Sequence, residues 1–287
     1  MFGGIDTEKF VGSLIEVPVL PDEDSGIYHS FTVTLSSLVI NSSNSDRTTT
    51  IVRQSSPVPV ILDSGTTLTY LPSSLANDIY DELGAVDDTS YTGLVYISCS
   101  LLTDQRDLTF DFQFGGSDGP LIRVPIDEVV LDNVRPYIQA GLLPLPNGMN
   151  IDEDDVCSFG IQPASGIYLL GDTFLRSAYV VYDLEHNVVA LAQSNINSTR
   201  SNVVEITESG IPDTSGVASQ VTAEQTATGL PGAGNAGANP TATDRGGSGD
   251  DENAGVRAVP TPPNWEIAFV AVFAGFAGLM GVGLFAI

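Results

Sequence analysis

The protein has 287 residues, and its 36 aspartates and glutamates outnumber 10 lysines and arginines, which gives a net charge of −26 at pH 7. This charge disfavours contact with the phosphates of nucleic acid, so no nucleic-acid partner is expected. Two histidines and two cysteines are too few for a His/Cys zinc cluster and argue against a cysteine protease or a Ser-His-Asp site. We therefore expect neither a metal nor a cofactor.

Residues 1–194 consist of short β-prone runs separated by Gly, Pro, Asn and Asp, which predicts a mostly antiparallel β domain with a hydrophobic core. The clearest predicted strands are Phe31–Leu35, Leu108–Phe114, Leu121–Ile126 and Ala178–Tyr182. A helix is predicted over Pro72–Leu83, where proline stands at the start, leucine or isoleucine recurs every fourth residue, and Gly84 can end the helix. The predicted fold class is therefore mainly β with one or two short helices.

Two further motifs have ordinary structural explanations. Gly115–Gly119 matches the G-x-S-x-G pattern of a hydrolase nucleophile, but that serine needs a strand followed by a helix. Here Pro120 and another predicted strand follow, which favours a hairpin turn. The run Asp152–Asp155 lacks the spacing and the glycine of a calcium loop, and we interpret it as a solvated acidic loop.

The C-terminal third of the chain has a different composition. Residues 195–264 lose hydrophobic periodicity and fill with Ser, Thr, Gly, Ala and Pro, which predicts a disordered, solvated stalk. Residues 265–287 form a hydrophobic membrane segment or anchor signal. Within them Ile267–Ile287 contains no charged residue and is long enough to cross a bilayer as a helix.

This hydrophobic end has two interpretations. Lysine or arginine often follows a retained transmembrane helix, and none follows here. A GPI-anchor signal is favoured, because the small residues Asn253-Ala254-Gly255 precede a polar spacer and the apolar run. Asn253 is the candidate attachment site, with Gly246–Ser248 as the alternative cleavage region.

Anchoring of this kind requires entry into the secretory pathway, yet Met1–Phe10 has no basic or apolar leader. We therefore expect that upstream polypeptide is missing. The sequons at Asn41 and Asn197 are candidate N-glycosylation sites and agree with export. Cys99 and Cys157 would form a disulfide in an oxidising compartment, with two unpaired buried thiols as the alternative.

The segment richest in chemical information is Val58–Pro72, VPVILDSGTTLTYLP. An apolar strand delivers Asp63 into a tight turn made by Ser64 and Gly65, and threonines follow. An ordinary turn would explain an Asp-Ser-Gly triplet alone. A carboxylate between an apolar strand and a hydroxyl-rich turn is partly desolvated and hydrogen-bonded, a setting typical of catalytic acids.

This segment resembles the second lobe of pepsin-like aspartic proteases, particularly fungal surface-anchored members of the yapsin type. Each of the two lobes in that family carries an Asp-Thr/Ser-Gly-Thr/Ser loop, and Asp63–Thr66 is similar to the second loop. Met1–Val19 resembles the link between the lobes, and Tyr168–Ala192 resembles the segment that crosses beside the catalytic loop. Cys99 and Cys157 fall where that lobe has its disulfide. The resemblance covers about residues 1–194.

The resemblance implies that Asp63 is one of two carboxylates that share a proton and hold a water molecule. The ionised member takes a proton from the water while the protonated member polarises the scissile carbonyl. Thr66 would donate a hydrogen bond to the Asp63 carboxylate. Gly65 would permit the tight turn, and Ser64 would fix the loop against the other lobe. Packing beneath the loop is implied for Leu170 and Gly171.

One of the two carboxylates is missing. No second Asp-Ser/Thr-Gly loop is expected in the sequence, and Asp213-Thr214-Ser215 is a near match in the predicted stalk. We therefore expect half of an active site, completed by a missing N-terminal lobe; a homodimer with two copies of Asp63 is less favoured. The predicted function is an aspartic endopeptidase that acts on protein or peptide substrates at the cell surface or wall. The alternative is a non-catalytic surface protein that keeps the lobe as a scaffold or binding module.

Overall fold

Short runs of β-branched and aromatic residues form strands throughout the part of the chain that the computed structural model describes, residues 1–42, 47–145 and 152–221. The strands are β1 (Gly4–Asp6), β2 (Phe10–Pro18), β3 (Thr32–Ser42), β4 (Arg47–Val52), β5 (Val58–Leu62), β6 (Thr69–Pro72), β7 (Val86–Asp88), β8 (Leu94–Ser98), β9 (Leu108–Phe114), β10 (Leu121–Pro125), β11 (Val130–Leu131), β12 (Val156–Phe159), β13 (Ile161–Ala164), β14 (Leu169–Leu170), β15 (Ala178–Asp183), β16 (Val188–Ser194), β17 (Val203–Glu205) and β18 (Thr214–Val217). The helices are α1 (Ser73–Leu83), α2 (Leu101–Asp104), α3 (Arg135–Gln139) and α4 (Asp172–Leu175), with 3₁₀ turns at Ile126–Glu128 and Glu153–Asp155.

The largest sheet has the strand order β10-β9-β3-β5-β14-β6-β13, and β4 also pairs with β3. Its pairs are antiparallel except β14 with β5 and β13 with β6, which are parallel. Phe110, Phe112 and Phe114 of β9 are all buried. The rings of Phe112 and Phe114 lie 5.1 and 5.6 Å from the ring of Phe174 in α4. The core therefore packs directly against the short helix α4.

Three smaller sheets complete the described fold. One has the order β11-β12-β8-β7, another β15-β16-β2-β18, and β1 pairs with β17. A disulfide joins Cys99, at the end of β8, to Cys157 in β12, so the predicted bridge is confirmed. The hairpin predicted at Gly115–Gly119 is also confirmed, because it connects β9 to the antiparallel strand β10.

The predicted helix is confirmed as α1. Pro72 precedes it, and Gly84 follows it in a left-handed conformation (φ 73°), with its N–H donating to the Tyr80 carbonyl at 2.7 Å. Three further helices of four or five residues bring the total in the described chain to four, whereas one or two were predicted. Helices this short show no 3.6-residue pattern, so the sequence carries no periodic signal for them.

The predicted disordered stalk is wrong for residues 195–221. Strands β17 and β18 lie in this segment, and Ile211 and Ala218 are buried. β17 pairs with β1 and β18 pairs with β2. With three and four residues, these strands are too short to show a periodic pattern in the sequence. The rest of the predicted stalk, the Asn253 anchor site and the hydrophobic segment 265–287 lie outside the described residues. Among described residues, no helix has the length and apolar character needed to span a membrane.

Candidate active site

Strand β5 carries the chain directly into Asp63, and β14 fixes that point. β14 lies between β5 and β6, parallel to the first and antiparallel to the second. Leu170 of β14 is fully buried, and its carbonyl accepts a hydrogen bond from the Asp63 N–H at 3.1 Å. The backbone of Asp63 is therefore held by a strand that comes from more than 100 residues later in the sequence.

The Asp63 carboxylate is partly buried, and each of its oxygens has a donor from its own loop. Oδ1 accepts from the Gly65 N–H at 2.9 Å, and Oδ2 accepts from the Thr66 hydroxyl at 2.5 Å. The Thr66 N–H also donates to the Asp63 carbonyl, at 3.3 Å. These bonds fix the plane of the carboxylate and leave each oxygen with acceptor capacity for a further partner.

Gly171 lies against the underside of this loop, where a side chain has no room. A Cβ atom at this position would lie 2.2 Å from the Thr66 carbonyl oxygen and 2.5 Å from that of Leu68. The N–H groups of the next two residues, Asp172 and Thr173, donate to the carbonyls of Thr66 and Thr67 at 2.9 and 3.0 Å. The first turn of α4 therefore supports the second half of the loop.

Comparison with known proteins identifies the family of the domain that carries this loop. The profile of the family described as "Eukaryotic aspartyl protease" matches residues 1–194. The chain belongs to this family. The probable aspartic-type endopeptidase OPSB of Arthroderma benhamiae is 41% identical over 240 residues, which cover 81% of this chain and 45% of the relative. That coverage extends beyond the 194 residues of the family match.

Other aspartyl proteases show the same partial coverage. Aspartic proteinase 3 of Saccharomyces cerevisiae is 32% identical over 71% of this chain and 31% of its own length. Secreted aspartic protease 1 of Candida albicans is 35% identical over 71% of this chain and 43% of its own length. The crystal structure of aspartic proteinase from Irpex lacteus has a TM-score of 0.48 at 22% identity, over 70% of this chain and 53% of that one. The chain thus spans about half the length, or less, of the curated relatives it matches.

Ser64, expected to contact the other lobe of an aspartyl protease, is exposed on the surface of the described domain. Gly65 is exposed as well, and a Cβ atom there would lie 3.2 Å from Asp63 Oδ1. A side chain at this position would press on the carboxylate, so glycine suits it for close approach as well as for the turn. The structure brings Asp63, Gly65, Thr66 and Gly171 together and leaves Ser64 facing outward.

Two aromatic residues near the aspartyl protease loop were not singled out from the sequence. The Tyr182 hydroxyl donates to the Leu62 carbonyl at 3.4 Å, and the Leu62 N–H donates to the Phe31 carbonyl at 3.3 Å. The rings of Phe31 and Tyr182 lie 4.5 Å apart. Burial, with a smaller contribution from the negative charge of Asp63, raises the pKa of Tyr182 to about 12. Phe31 immediately precedes β3 and Tyr182 lies near the end of β15, and neither stands in a distinctive sequence pattern. Only the fold reveals that they meet beside Leu62.

The expectation of a single Asp-Ser/Thr-Gly triplet is wrong, because residues 24–26 are also Asp-Ser-Gly. This second triplet shows the conformation of Asp-Ser-Gly without the neighbours that Asp63 has. It lies in an exposed turn in which the Ser25 N–H and hydroxyl donate to the Asp22 carboxylate at 2.9 and 2.8 Å. Ile27 follows where the aspartyl protease loop has a threonine. The geometry seen at Asp63 therefore depends on the preceding apolar strand and the following threonine hydroxyl as well as on the triplet.

The acidic run near residue 155 has a structural role. The Asp155 carboxylate accepts hydrogen bonds from the Ser100 N–H at 2.8 Å and from the Ser98 hydroxyl, next to the disulfide. Among described residues, metal-binding side-chain types meet within ligand distance at Cys99, Asp132 and Cys157. Both sulfur atoms of that group are bonded to each other, and a disulfide sulfur does not offer a thiolate.

Proposed function

We propose that the protein takes part in aspartic-type endopeptidase catalysis and that Asp63 is one of its two catalytic carboxylates. The observation that carries this proposal is the doubly hydrogen-bonded Asp63 carboxylate at the end of a buried strand. The names of the relatives support the same reaction. Substrates would be proteins or peptides.

In this reaction the carboxylates bind a water molecule between them. The ionised carboxylate removes a proton from the water as the water oxygen attacks the carbonyl carbon. The other, protonated carboxyl group donates a proton to the carbonyl oxygen. Breakdown of the tetrahedral intermediate then returns a proton to the leaving amine. Asp63 would hold one side of the water, while Gly65 and Thr66 act as positioning residues that keep its oxygens in place.

Two carboxylates are required, and the four-residue loop motif occurs once in the sequence. We propose that the second carboxylate comes from an N-terminal lobe of the same family, with a second copy of this chain as the alternative. Ser64 would then contact the other lobe, since it is exposed beside the carboxylate.

The test compares the purified 287-residue chain with the same chain joined to the first half of the Arthroderma OPSB protein. We expect no pepstatin-sensitive cleavage of denatured haemoglobin by the chain alone at acid pH, and cleavage by the joined protein. Asp63→Asn should lower kcat by at least about 1000-fold, because it removes an acid–base group and its charge. Asp24→Asn is the matched control, since it changes the other Asp-Ser-Gly triplet.

Each other outcome separates the alternatives. Activity of the chain alone that disappears with Asp63→Asn and rises with the square of concentration would support the homodimer. A folded joined protein that binds pepstatin-agarose poorly and cleaves nothing would support the non-catalytic surface protein. Joined-protein activity that persists in Asp63→Asn would refute the role of Asp63.

Export and anchoring form the second part of the proposal, supported by the disulfide and by the name of the Candida relative, a secreted aspartic protease. Asn197 is exposed, whereas the Asn41 amide donates to the buried Asp111 carboxylate at 2.8 Å. We therefore favour Asn197 as the glycosylated sequon. Peptide mapping after enzymatic deglycosylation in heavy-oxygen water should label Asn197 and leave Asn41 unlabelled.

The C-terminal hydrophobic segment is proposed as a GPI-anchor signal with attachment at Asn253, and the mature protein would then reside at the plasma membrane or cell wall. Phosphatidylinositol-specific phospholipase should release the protein from cells, and the released protein should lack peptides from residues 265–287. Recovery of those peptides from surface protein would show that the segment is retained as a transmembrane helix.

A further inference from the structure

The described chain stays in contact with the lobe for about 25 residues beyond the family match, which ends at residue 194. β17 pairs antiparallel with β1, and β18 pairs in parallel with β2. The Ala218 N–H then donates to the Glu16 carbonyl at 2.7 Å. Residues 195–219, which we call the strap, therefore add one strand to the sheet of β15, β16 and β2 and form a two-stranded sheet with β1.

The first half of the strap is held by Asp6, a side chain that is 4% exposed. Its carboxylate accepts from the Asn202 N–H at 2.8 Å and from the Ser201 hydroxyl at 2.7 Å. Close by, the Lys9 ammonium donates to the Ser198 carbonyl at 2.8 Å. These partners are nearly 200 residues apart in sequence, so the contact joins the first residues of the described chain to its C-terminal part.

The last residues of the strap are held by Asp118, in the Gly115–Gly119 hairpin. Its carboxylate accepts from the Ser219 N–H at 3.1 and 3.2 Å and from the Ser219 hydroxyl at 2.8 Å. The hairpin glycines leave space for this contact. A Cβ atom at Gly116 would lie 2.8 Å from the Ser219 Cβ, and one at Gly115 would lie 2.8 Å from the Ala218 Cβ.

Apolar side chains fasten the strap between these two polar contacts. Ile211 is 7% exposed and belongs to a cluster with Ile5, Phe10 and Leu14. Ala218 is 4% exposed and belongs to the main core of the lobe. A solvated linker would leave such residues in water, so this burial is independent evidence that the strap is seated.

We propose that the strap is a docked segment that closes the free edge of β2 and fixes the exit of the remaining chain at the Gly115–Gly119 hairpin, with Asp6 and Asp118 as its two attachment points. The folded unit then extends at least to residue 219. Any cleavage that releases an intact lobe from the rest of the chain must fall beyond that residue. This proposal does not depend on catalytic activity.

Hydrogen exchange of the full 287-residue chain, read by mass spectrometry, tests the strap directly. A synthetic peptide of residues 195–221 supplies the unprotected reference. We expect amides in β17 and β18 to exchange roughly 100-fold more slowly in the protein than in the peptide. Limited proteolysis should leave a core whose C-terminus lies beyond residue 219. Peptide-like exchange across residues 203–219, or a core that ends near residue 194, would overturn the proposal.

Three variants assign the attachment points. Asp118→Ala and Ser219→Ala should each accelerate exchange at residues 214–219, and their double variant should add little to either. Asp6→Ala should accelerate exchange at residues 201–206, and Asp24→Ala should change neither segment. Ser219→Ala removes one hydroxyl from an exposed residue, so it remains informative where Asp6→Ala lowers expression. Unchanged exchange at residues 214–219 in both Asp118→Ala and Ser219→Ala would refute the attachment at the hairpin.

Discussion

The carboxylates of Asp63 and Asp118 accept similar hydrogen bonds, but the donors are close in sequence to Asp63 and far in sequence from Asp118. Both carboxylates accept one hydroxyl and one backbone N–H beside a glycine-containing turn. The donors of Asp63 come from two and three residues away, whereas the donor residue of Asp118 is 101 residues away. The first arrangement can form as soon as the local turn forms, and the second requires the rest of the fold.

This difference separates a loop held by local hydrogen bonds from an attachment that depends on a residue distant in sequence. The Asp63 loop is also held from below by β14 and α4, through bonds from Asp172 and Thr173 to the loop carbonyls. The Asp118 contact has one exposed serine as its partner. We therefore expect changes at the Asp63 loop to affect the whole domain and changes at Asp118 to remain local.

The largest effect is expected from Gly171→Ala, which removes the space beneath the Asp63 loop. Its Cβ would lie 2.2 Å from a backbone oxygen, and backbone cannot move aside as a flexible side chain can. We expect the free energy of unfolding to fall by at least about 3 kcal/mol, measured by urea denaturation. Gly84→Ala, with open space but a positive φ, is the control and should cost about 1–2 kcal/mol. Equal losses in both variants would contradict the packing argument.

A smaller effect is expected from Thr66→Val in the joined, active protein. The variant keeps the shape of the side chain and removes the donor to Asp63 Oδ2. A hydrogen bond to a charged group contributes about 1.5–3 kcal/mol, so kcat should fall roughly 10- to 100-fold while KM changes little. Thr66→Ser should restore most of the activity, because it restores the hydroxyl. A Thr66→Val protein with unchanged kcat would show that the Gly65 N–H alone positions Asp63.

The same contrast in sequence separation explains what could be predicted from the sequence. The Asp63 loop and helix α1 are local patterns, an apolar strand followed by a turn in one case and a four-residue repeat ended by Gly84 in the other. The contact between Asp118 and Ser219 has no local pattern, because each residue is an ordinary turn residue until the fold brings them together. The composition of residues 195–221 likewise predicts disorder, since Ile211 and Ala218 are the two hydrophobic residues of this described segment that are buried.

Acid is expected to release the strap. Hydrogen bonds from Ser201 and Ser219 lower the pKa values of Asp6 and Asp118 below the usual 3.8. A carboxylate whose pKa is lower in the folded state stabilises docking at pH values above its unfolded pKa. This stabilisation is lost as the pH falls through its folded pKa. Strap docking should therefore be constant above about pH 4.5 and weaken below about pH 3.8. Cleavage by pepsin within residues 203–219 should rise over that lower range. Asp118→Asn should show weaker docking near residue 219 with less pH dependence, and an unchanged acid profile in that variant would contradict this assignment.

The smallest effect concerns the charge that the Asp63 loop exerts on Tyr182. Burial is the larger cause of the raised Tyr182 pKa, and the negative charge of Asp63 is the smaller one. Asp63→Asn removes only the charge, so the Tyr182 pKa should fall below about 12 and remain above the usual 10.0. Because the protein has nine tyrosines, the titration is read as the ultraviolet difference between each protein and its Tyr182→Phe counterpart. The comparison uses the rise in absorbance difference below pH 11, and circular dichroism over the same range serves to check that the fold persists. Asp24→Asn should leave the curve unchanged. If Asp63→Asn also leaves the titration curve unchanged, burial alone raises the Tyr182 pKa, and the charge of Asp63 has no effect on β15.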